Sequence, residues 1–173
     1  MKNIYIFLSV IILLSSSCVL DPKKKSLQLE VRLVNKIQPS VVKEKTGEFY
    51  SIKLNIINNT NSKVRFWILS CWWEDNCIFN CKNIVFHYPK CYKNSLDIKE
   101  IASGGCLIYT GIIKVINNIS LNNEEGFKLG FILIKENEYR KNMDFDKILL
   151  DKINKNKDII WCDNLIFINK KFK

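Results

Sequence analysis

Cysteine and histidine are the residue types in this sequence most able to bind a metal ion or to take part in catalysis. Zinc sites are built from cysteine or histidine pairs at close, fixed spacings such as C-x2-C. The stretch "SCWWEDNCIFNC" has C-x5-C and C-x3-C spacings instead, and the single histidine, His87, lies within a predicted strand. A catalytic thiol needs a nearby base and a group that orients the base. The sequence offers only one histidine as the base, and it lies within a predicted strand. We therefore expect no metal site, no cofactor and no catalytic residue.

The first residues of the chain indicate export. Lys2 precedes an apolar run over residues 4–14, and three serines then lead directly into Cys18. This order of charged end, apolar core and small residues is that of a secretory signal peptide. The run is too short for a membrane-spanning helix, which needs roughly 20 apolar residues. We expect a signal peptide at 1–17, a tether at 18–26 and one folded domain at 27–173.

The small residues before Cys18 resemble the lipobox of bacterial lipoproteins, although Ser15 stands where that family prefers leucine. In that family the cysteine is acylated and becomes the mature N-terminus. The resemblance implies that Cys18 is lipidated and that the chain binds a membrane of the bacterial cell envelope through this lipid. The lack of an acidic run after Cys18 favours the periplasmic face of the outer membrane. The alternative is an ordinary signal peptide cut near Ser17, with Cys18 as a spare thiol.

The chain is strongly basic, with 27 lysine and arginine residues against 17 aspartate and glutamate residues and a formal charge of +10. Such a balance favours acidic partners. Since an exported protein rarely meets nucleic acid, we expect an acidic envelope protein or glycan as partner and no nucleic acid. The abundance of lysine, asparagine and isoleucine is typical of AT-rich genomes, so part of the charge reflects codon usage.

Seven segments are predicted to be β-strands: 27–34, 49–57, 64–71, 83–88, 106–116, 127–135 and 158–168. The segments 27–34, 49–57 and 127–135 have apolar residues at every second position, which indicates half-buried strands. The polar turn "NNTNS" between the second and third segments suggests a hairpin. Only 143–155 has helical spacing of its apolar residues. We predict an all-β fold, an immunoglobulin-like antiparallel β-sandwich of about seven strands with one short helix before the last strand.

Six cysteines follow Cys18, and an even number in an exported chain indicates disulfides. Six cysteines allow fifteen connectivities, so several pairings remain open. One set suits the positions of the predicted strands best. It joins Cys71 to Cys91, Cys106 to Cys162, and Cys77 to Cys81.

The mature part of the chain also resembles a group of small, uncharacterised bacterial lipoproteins. The stretches "FYSIKLNIINNT", "FWILSCWW", "CYKN" and "IIWCDNLIFI" carry the likeness. The positions that match are Ser70, Cys71, Trp73, Cys91, Asn94, Trp161 and Asn164. The resemblance implies an immunoglobulin-like β-sandwich and a Cys71–Cys91 bridge, and it implies no activity.

Trp72 and Trp73 are adjacent, and in an extended chain neighbouring side chains point to opposite faces. One of them can therefore enter the core while the other faces solvent. Glu74, Asp75 and Asn76 would form a polar rim beside the exposed ring, and tryptophan is enriched in interface hot spots. The stretch "WWEDNCIFNC" is thus our candidate binding loop. In the alternative, both tryptophans pack over the end of the sandwich.

These features favour a non-catalytic, lipid-anchored protein of the cell envelope that acts as a binding or structural module. The alternative is an inhibitor or immunity-type lipoprotein that blocks an acidic toxin or hydrolase. A single protein partner captured in a fixed ratio would favour the inhibitor.

Overall fold

The computed structural model describes residues 26–42, 44, 46–88, 90–116, 126–140 and 143–168. The expected signal peptide, the lipidation site Cys18 and the tether up to residue 25 lie outside the described residues. Within the described ranges, no helix has the length and apolar character needed to cross a bilayer.

Ten strands and two α-helices form the framework of the described chain. The strands are β1 Leu27–Ile37, β2 Glu48–Asn58, β3 Val64–Leu69, β4 Cys77–Phe79, β5 Ile84–His87, β6 Leu96–Ile101, β7 Cys106–Val115, β8 Leu129–Ile132, β9 Ile134–Lys135 and β10 Ile159–Trp161. The helices are α1 Pro39–Val42 and α2 Phe145–Lys155, and short 3-10 helices lie at Trp73–Asn76 and Glu136–Glu138.

The strands form three antiparallel sheets, with the orders β1-β2-β7-β5, β6-β3-β9 and β10-β8-β4. Strand β2 shows why the chain folds this way, because Ile52, Leu54 and Ile56 alternate along it and are all buried. An alternating strand of this kind buries one face of its sheet against another layer. Phe66 of β3 and Phe131 of β8 share this core, with ring centroids 5.5 Å apart. The predicted all-β antiparallel sandwich is confirmed.

The predicted hairpin of segments 49–57 and 64–71 is wrong, because β2 and β3 belong to different sheets. The buried side chain of Asn58 directs the crossing. Its Nδ2 donates to the carbonyl oxygens of Ser62, Ile101 and Ala102 at 2.8, 3.0 and 3.1 Å. These bonds tie the turn after β2 to the end of β6, so the chain leaves the first sheet instead of pairing back on it.

Three further strands differ from the sequence prediction. Segment 127–135 is not one strand, because its apolar run divides at Leu133 into β8 and β9, which join different sheets. The backbone N–H of Leu133 donates to the carbonyl of Asp158 at 2.9 Å, outside both ladders. Strands β4 and β6 were not predicted, since β4 has three residues and β6 is rich in charge.

The predicted helix before the last strand is confirmed as α2. Its first turn is capped by Asp144, whose carboxylate accepts from the backbone N–H groups of Asp146 and Lys147 at 3.0 and 3.3 Å. Asn156 ends the helix in a left-handed conformation with φ of 47°. The apolar side of α2 packs against Ile132 of β8.

Candidate functional site

The disulfide between Cys71 and Cys91 confirms the first predicted pair, with a Cα–Cα distance of 6.1 Å. It joins the end of β3 to the segment between β5 and β6. Asn94 supports the same junction, because its Oδ1 accepts from the backbone N–H of Cys71 at 3.1 Å. The bridge therefore fixes both ends of the segment that contains Trp72 and Tyr88.

The predicted Cys106–Cys162 bridge is absent, and both residues are free thiols in the structure. Cys106 is exposed on β7 opposite Ile57. Cys162 is fully buried, where its Sγ accepts from the backbone N–H of Leu129 at 3.3 Å. The two thiols thus lie in different environments, one at the surface and one in the core.

The predicted Cys77–Cys81 bridge is also absent, and both thiols are free. Cys77 begins strand β4, in which the chain rises about 3.3 Å per residue and moves away from its starting point. Burial raises the pKa of the Cys77 thiol well above its usual value and also raises that of Cys81. Thiols with raised pKa values are poor nucleophiles at neutral pH.

The two adjacent tryptophans face opposite environments, as alternation along the chain predicts. Trp73 is 8% exposed, and its ring stacks on Tyr109 with centroids 4.9 Å apart. Gly111 permits this packing, because an added Cβ there would lie 3.0 Å from the Trp73 ring. Trp72 is 38% exposed and stays at the surface.

The predicted polar rim of Glu74, Asp75 and Asn76 is wrong. Trp73–Asn76 is a 3-10 helix and not an open loop, and it turns Glu74 and Asn76 inward to 3% and 0% exposure. The Nδ2 of Asn76 donates to the carbonyls of Trp67 and Ile132 at 3.3 and 3.2 Å. Asn76 therefore joins two sheets and cannot contact a partner, while Asp75 is only half-buried.

A cavity of about 890 Å³ lies beside Glu74 and is our candidate binding site. It includes Gly111 and Thr110 of β7, which lie just past the last pair of β5, His87 with Ile112. The site thus forms where β5 ends while β7 continues. Its polar lining residues are Ser51, Glu74, His87, Tyr88, Lys90 and Thr110.

The carboxyl group of Glu74 is the least satisfied group in this wall. Its Oε2 has no hydrogen-bond partner in the described part of the chain, although the residue is almost fully buried. Burial raises the pKa of Glu74 to about 7, and the nearby charge of Asp75 adds to the increase. Leaving a buried polar group unpaired costs about 1–3 kcal/mol, so this orientation of Glu74 is unfavourable without a ligand.

His87 is held by a carboxylate in the chain after α1. Its Nδ1 lies 3.0 Å from Oε1 of Glu44, and Lys114 pairs with the same carboxylate. The hydrogen bond from Lys114 is the largest cause of the lowered pKa of Glu44. Ser51 of β2 and His87 of β5 both pair with Ile112 of β7, which lies between them. Their two strands are therefore roughly 10 Å apart. His87 cannot activate that hydroxyl.

Trp72 and Tyr88 form an exposed aromatic pair at the edge of the cavity. Their ring centroids lie 6.3 Å apart with planes at 72°, and the residues are 38% and 45% exposed. The phenol of Tyr88 also acts on the carboxyl group of Asp75, where it opposes the rise in pKa that burial causes. Tyr88 lines the cavity and Trp72 does not.

A second cavity, of about 610 Å³, lies along α2. Its buried charge is already neutralised, because Nζ of Lys152 bonds Glu138 at 3.0 Å and Asp158 at 2.8 Å. Among the described residues, no group of three or more histidine, cysteine or acidic side chains is arranged to hold a metal ion. The cavity beside Glu74 is therefore the better candidate for binding.

The sequence missed most of this site. It placed Glu74 in a polar rim and assigned His87 no role, and it had no signal for Glu44, Ser51 or Gly111. The chain matches no known protein family, no curated protein and no solved structure.

Proposed function

We propose that the protein is a non-catalytic binding module, held at the bacterial cell envelope by a lipid on Cys18. The support for the anchor is the signal-like segment that runs directly into Cys18. The Cys71–Cys91 disulfide suits an exported protein, because such bonds persist in oxidising compartments. Nine residue steps from Cys18 to Leu27 span at most about 32 Å, so the domain would stay close to the membrane.

The aromatic pair of Trp72 and Tyr88 is the observation that carries the binding function. Large aromatic side chains dominate the energy of interfaces, and tryptophan and tyrosine are enriched in hot spots. Here both rings are exposed, and the disulfide beside them limits the motion of their segments. A surface that is ordered before binding loses less conformational entropy when a partner docks.

The partner we propose is an acidic protein surface in the envelope. Lys90 and Lys93 flank Cys91 and are exposed near the aromatic pair. The chain as a whole carries a formal charge of +10. Complementary charge speeds association and selects among partners, while the aromatic pair would supply most of the affinity.

Capture of envelope proteins by the full chain tests this function. Trp72→Ala should weaken capture of the bound protein by about thirty-fold, because truncating a hot-spot residue costs about 2 kcal/mol or more. Ile108→Ala is the matched control, since Ile108 is also an exposed apolar residue but lies on strand β7 and not beside the Cys71–Cys91 disulfide. Its capture should equal that of the wild type.

Two further measurements complete the capture experiment. Raising the salt concentration should slow association, because exposed charges are screened. Equal capture by Trp72→Ala and Ile108→Ala would contradict the role of the aromatic pair. A single protein recovered in a fixed ratio would select the inhibitor form of the proposal over a general envelope module.

Mass spectrometry of the membrane fraction tests the anchor separately. We expect a mature N-terminus at Cys18 that carries acyl chains, because two chains give stable membrane attachment. Cys18→Ser should move the protein out of the membrane fraction. An unmodified Cys18 in the mature protein would contradict the anchor and would leave the binding test intact.

A further inference from the structure

We propose that the cavity beside Glu74 binds a small organic amine, whose ammonium group pairs with the Glu74 carboxylate. This ligand is distinct from the protein partner of the aromatic pair. It extends the proposed binding function to a second site, and it does not require the first, because Trp72 does not line the cavity.

The unpartnered carboxylate oxygen indicates the charge of the ligand. Glu74 lines the cavity, and its buried Oε2 has no hydrogen-bond partner among the described residues. Asp75 lies next to it and adds negative charge. An ammonium group would donate to Oε2 and neutralise part of this charge, and such charge-assisted bonds are roughly twice as strong as neutral ones. An anion would be repelled.

The size and walls of the cavity indicate an organic ligand and not a bare ion. Its volume of about 890 Å³ is within the range of small-molecule sites, which is roughly 300–1,000 Å³. Ile37, Val41 and Ile112 supply apolar wall, and the Tyr88 ring lines another side. An amine with an apolar body would fill this space, and its cation could also approach the face of the ring.

Lys90 is the group in the wall that opposes a cation. It is exposed, so its long chain can carry the ammonium group into solvent, away from the ligand. His87 is engaged through Nδ1 by Glu44, which offsets any positive charge on the ring. Neither Lys90 nor His87 therefore cancels the preference for a cationic ligand that the buried carboxyl group of Glu74 creates.

Binding should depend on pH through Glu74. Burial raises its pKa to about 7, so an amine that needs the carboxylate binds more tightly as pH rises through this value. The ionisable groups that face Glu74 are Asp75, Cys77, Tyr88, His87 and Lys90. Burial raises the pKa values of Cys77 and Tyr88, so these two groups stay neutral in this range.

Calorimetric titration of the whole chain in detergent tests the proposal with phenethylamine as the probe. Phenethyl alcohol is the matched control ligand, because it has the same ring and lacks the charge. We expect saturable binding of the amine, about ten-fold weaker binding of the alcohol, and tighter amine binding at about pH 8 than at about pH 6.

Two variants separate the carboxyl group from the cavity itself. Glu74→Gln keeps the side-chain size and should weaken amine binding about ten-fold and remove its pH dependence. Ser51→Leu should fill part of the cavity and weaken both ligands while leaving Glu74 in place. Ser51→Leu also tests the site if Glu74→Gln fails to fold.

The outcomes also separate this proposal from the proposed function. Trp72→Ala should bind phenethylamine like the wild type, and Glu74→Gln should capture the protein partner like the wild type. Equal binding of amine and alcohol, no binding of either ligand, or unchanged amine binding by Glu74→Gln or Ser51→Leu would overturn the amine site. Loss of capture by Trp72→Ala would stand in each of those cases.

Discussion

At the scale of single residues, Glu74 shows how a local turn changes the role of an acidic side chain. In an extended chain it would be part of a solvated "WED" stretch, as the sequence suggests. The 3-10 helix Trp73–Asn76 instead carries it into the protein, where desolvation favours the uncharged acid. Short 3-10 turns have no clear sequence pattern, so this burial could not be predicted.

Glu74 should make the stability of the protein depend on pH. Its pKa is about 7 when folded, against an ordinary glutamate value of 4.5, so the folded state binds more protons between these values. Its contribution is therefore present at low pH and is lost as pH rises from about 4.5 to 7, by up to about 3 kcal/mol. Denaturant unfolding at about pH 5 and pH 8 should show that Glu74→Gln gains about 1–3 kcal/mol on the wild type at the higher pH.

Glu100→Gln provides the control for this measurement, because Glu100 is an exposed acid in ion pairs with Lys63 and Arg65. Its pH dependence should follow the wild type within about 0.5 kcal/mol, as surface pairs contribute little. If the free energy of unfolding changes with pH in the same way for Glu74→Gln and the wild type, the pKa of Glu74 is not raised in the folded protein.

The free cysteines should differ in reactivity according to their burial. Cys106 is exposed, while Cys162 is buried and Cys77 is partly buried with a raised pKa. Alkylation of the native protein should modify Cys106 first, and Cys77 and Cys162 only after unfolding. Mass mapping of the labelled peptides measures this. Complete protection of Cys106 in the native protein would indicate that it is paired.

At the scale of elements, the long strands were predictable because each buries one face. Strands β1 and β2 alternate apolar and polar residues over six or more positions, which is the pattern of a half-buried sheet. Strand β4 is too short to alternate. The split at Leu133 falls inside a continuous apolar run, where neither face is polar and a change of sheet leaves no signal.

The crossing between β2 and β3 depends on one buried amide. Asn58→Ala would leave the carbonyls of Ser62, Ile101 and Ala102 without their shared donor. We expect a loss of about 2–3 kcal/mol in the free energy of unfolding, because the fully buried Asn58 side chain makes several hydrogen bonds that each contribute about 0.5–1.5 kcal/mol.

Asn61→Ala is the matched control for the crossing, since Asn61 lies in the same turn and is exposed. Chemical denaturation should give it a stability within about 0.5 kcal/mol of the wild type. Equal effects of the two substitutions would contradict the role of Asn58 in directing the chain between sheets.

At the scale of the whole molecule, the candidate site could not be predicted because no short stretch contains it. Glu44, Glu74, His87 and Gly111 lie far apart in the sequence and meet only through the pairing of β5 with β7 and the turn of the 3-10 helix. The sequence did predict the sandwich and one cysteine pair, which depend on alternation and compartment. It could not predict a cavity, which depends on where one strand ends beside another.

The Cys71–Cys91 disulfide connects this architecture to binding, because it closes the segment that carries Trp72 and Tyr88. Replacing both cysteines with serine should lower the free energy of unfolding by about 3 kcal/mol, as expected for a closed loop of this length. It should also weaken partner capture under conditions where the variant is folded, because the rings would lose order before binding. Cys106→Ser, which removes an exposed free thiol, should change neither quantity. If the variant loses stability but captures the partner fully, the aromatic pair does not need the disulfide to bind. If its stability is unchanged, the disulfide does not constrain the unfolded chain.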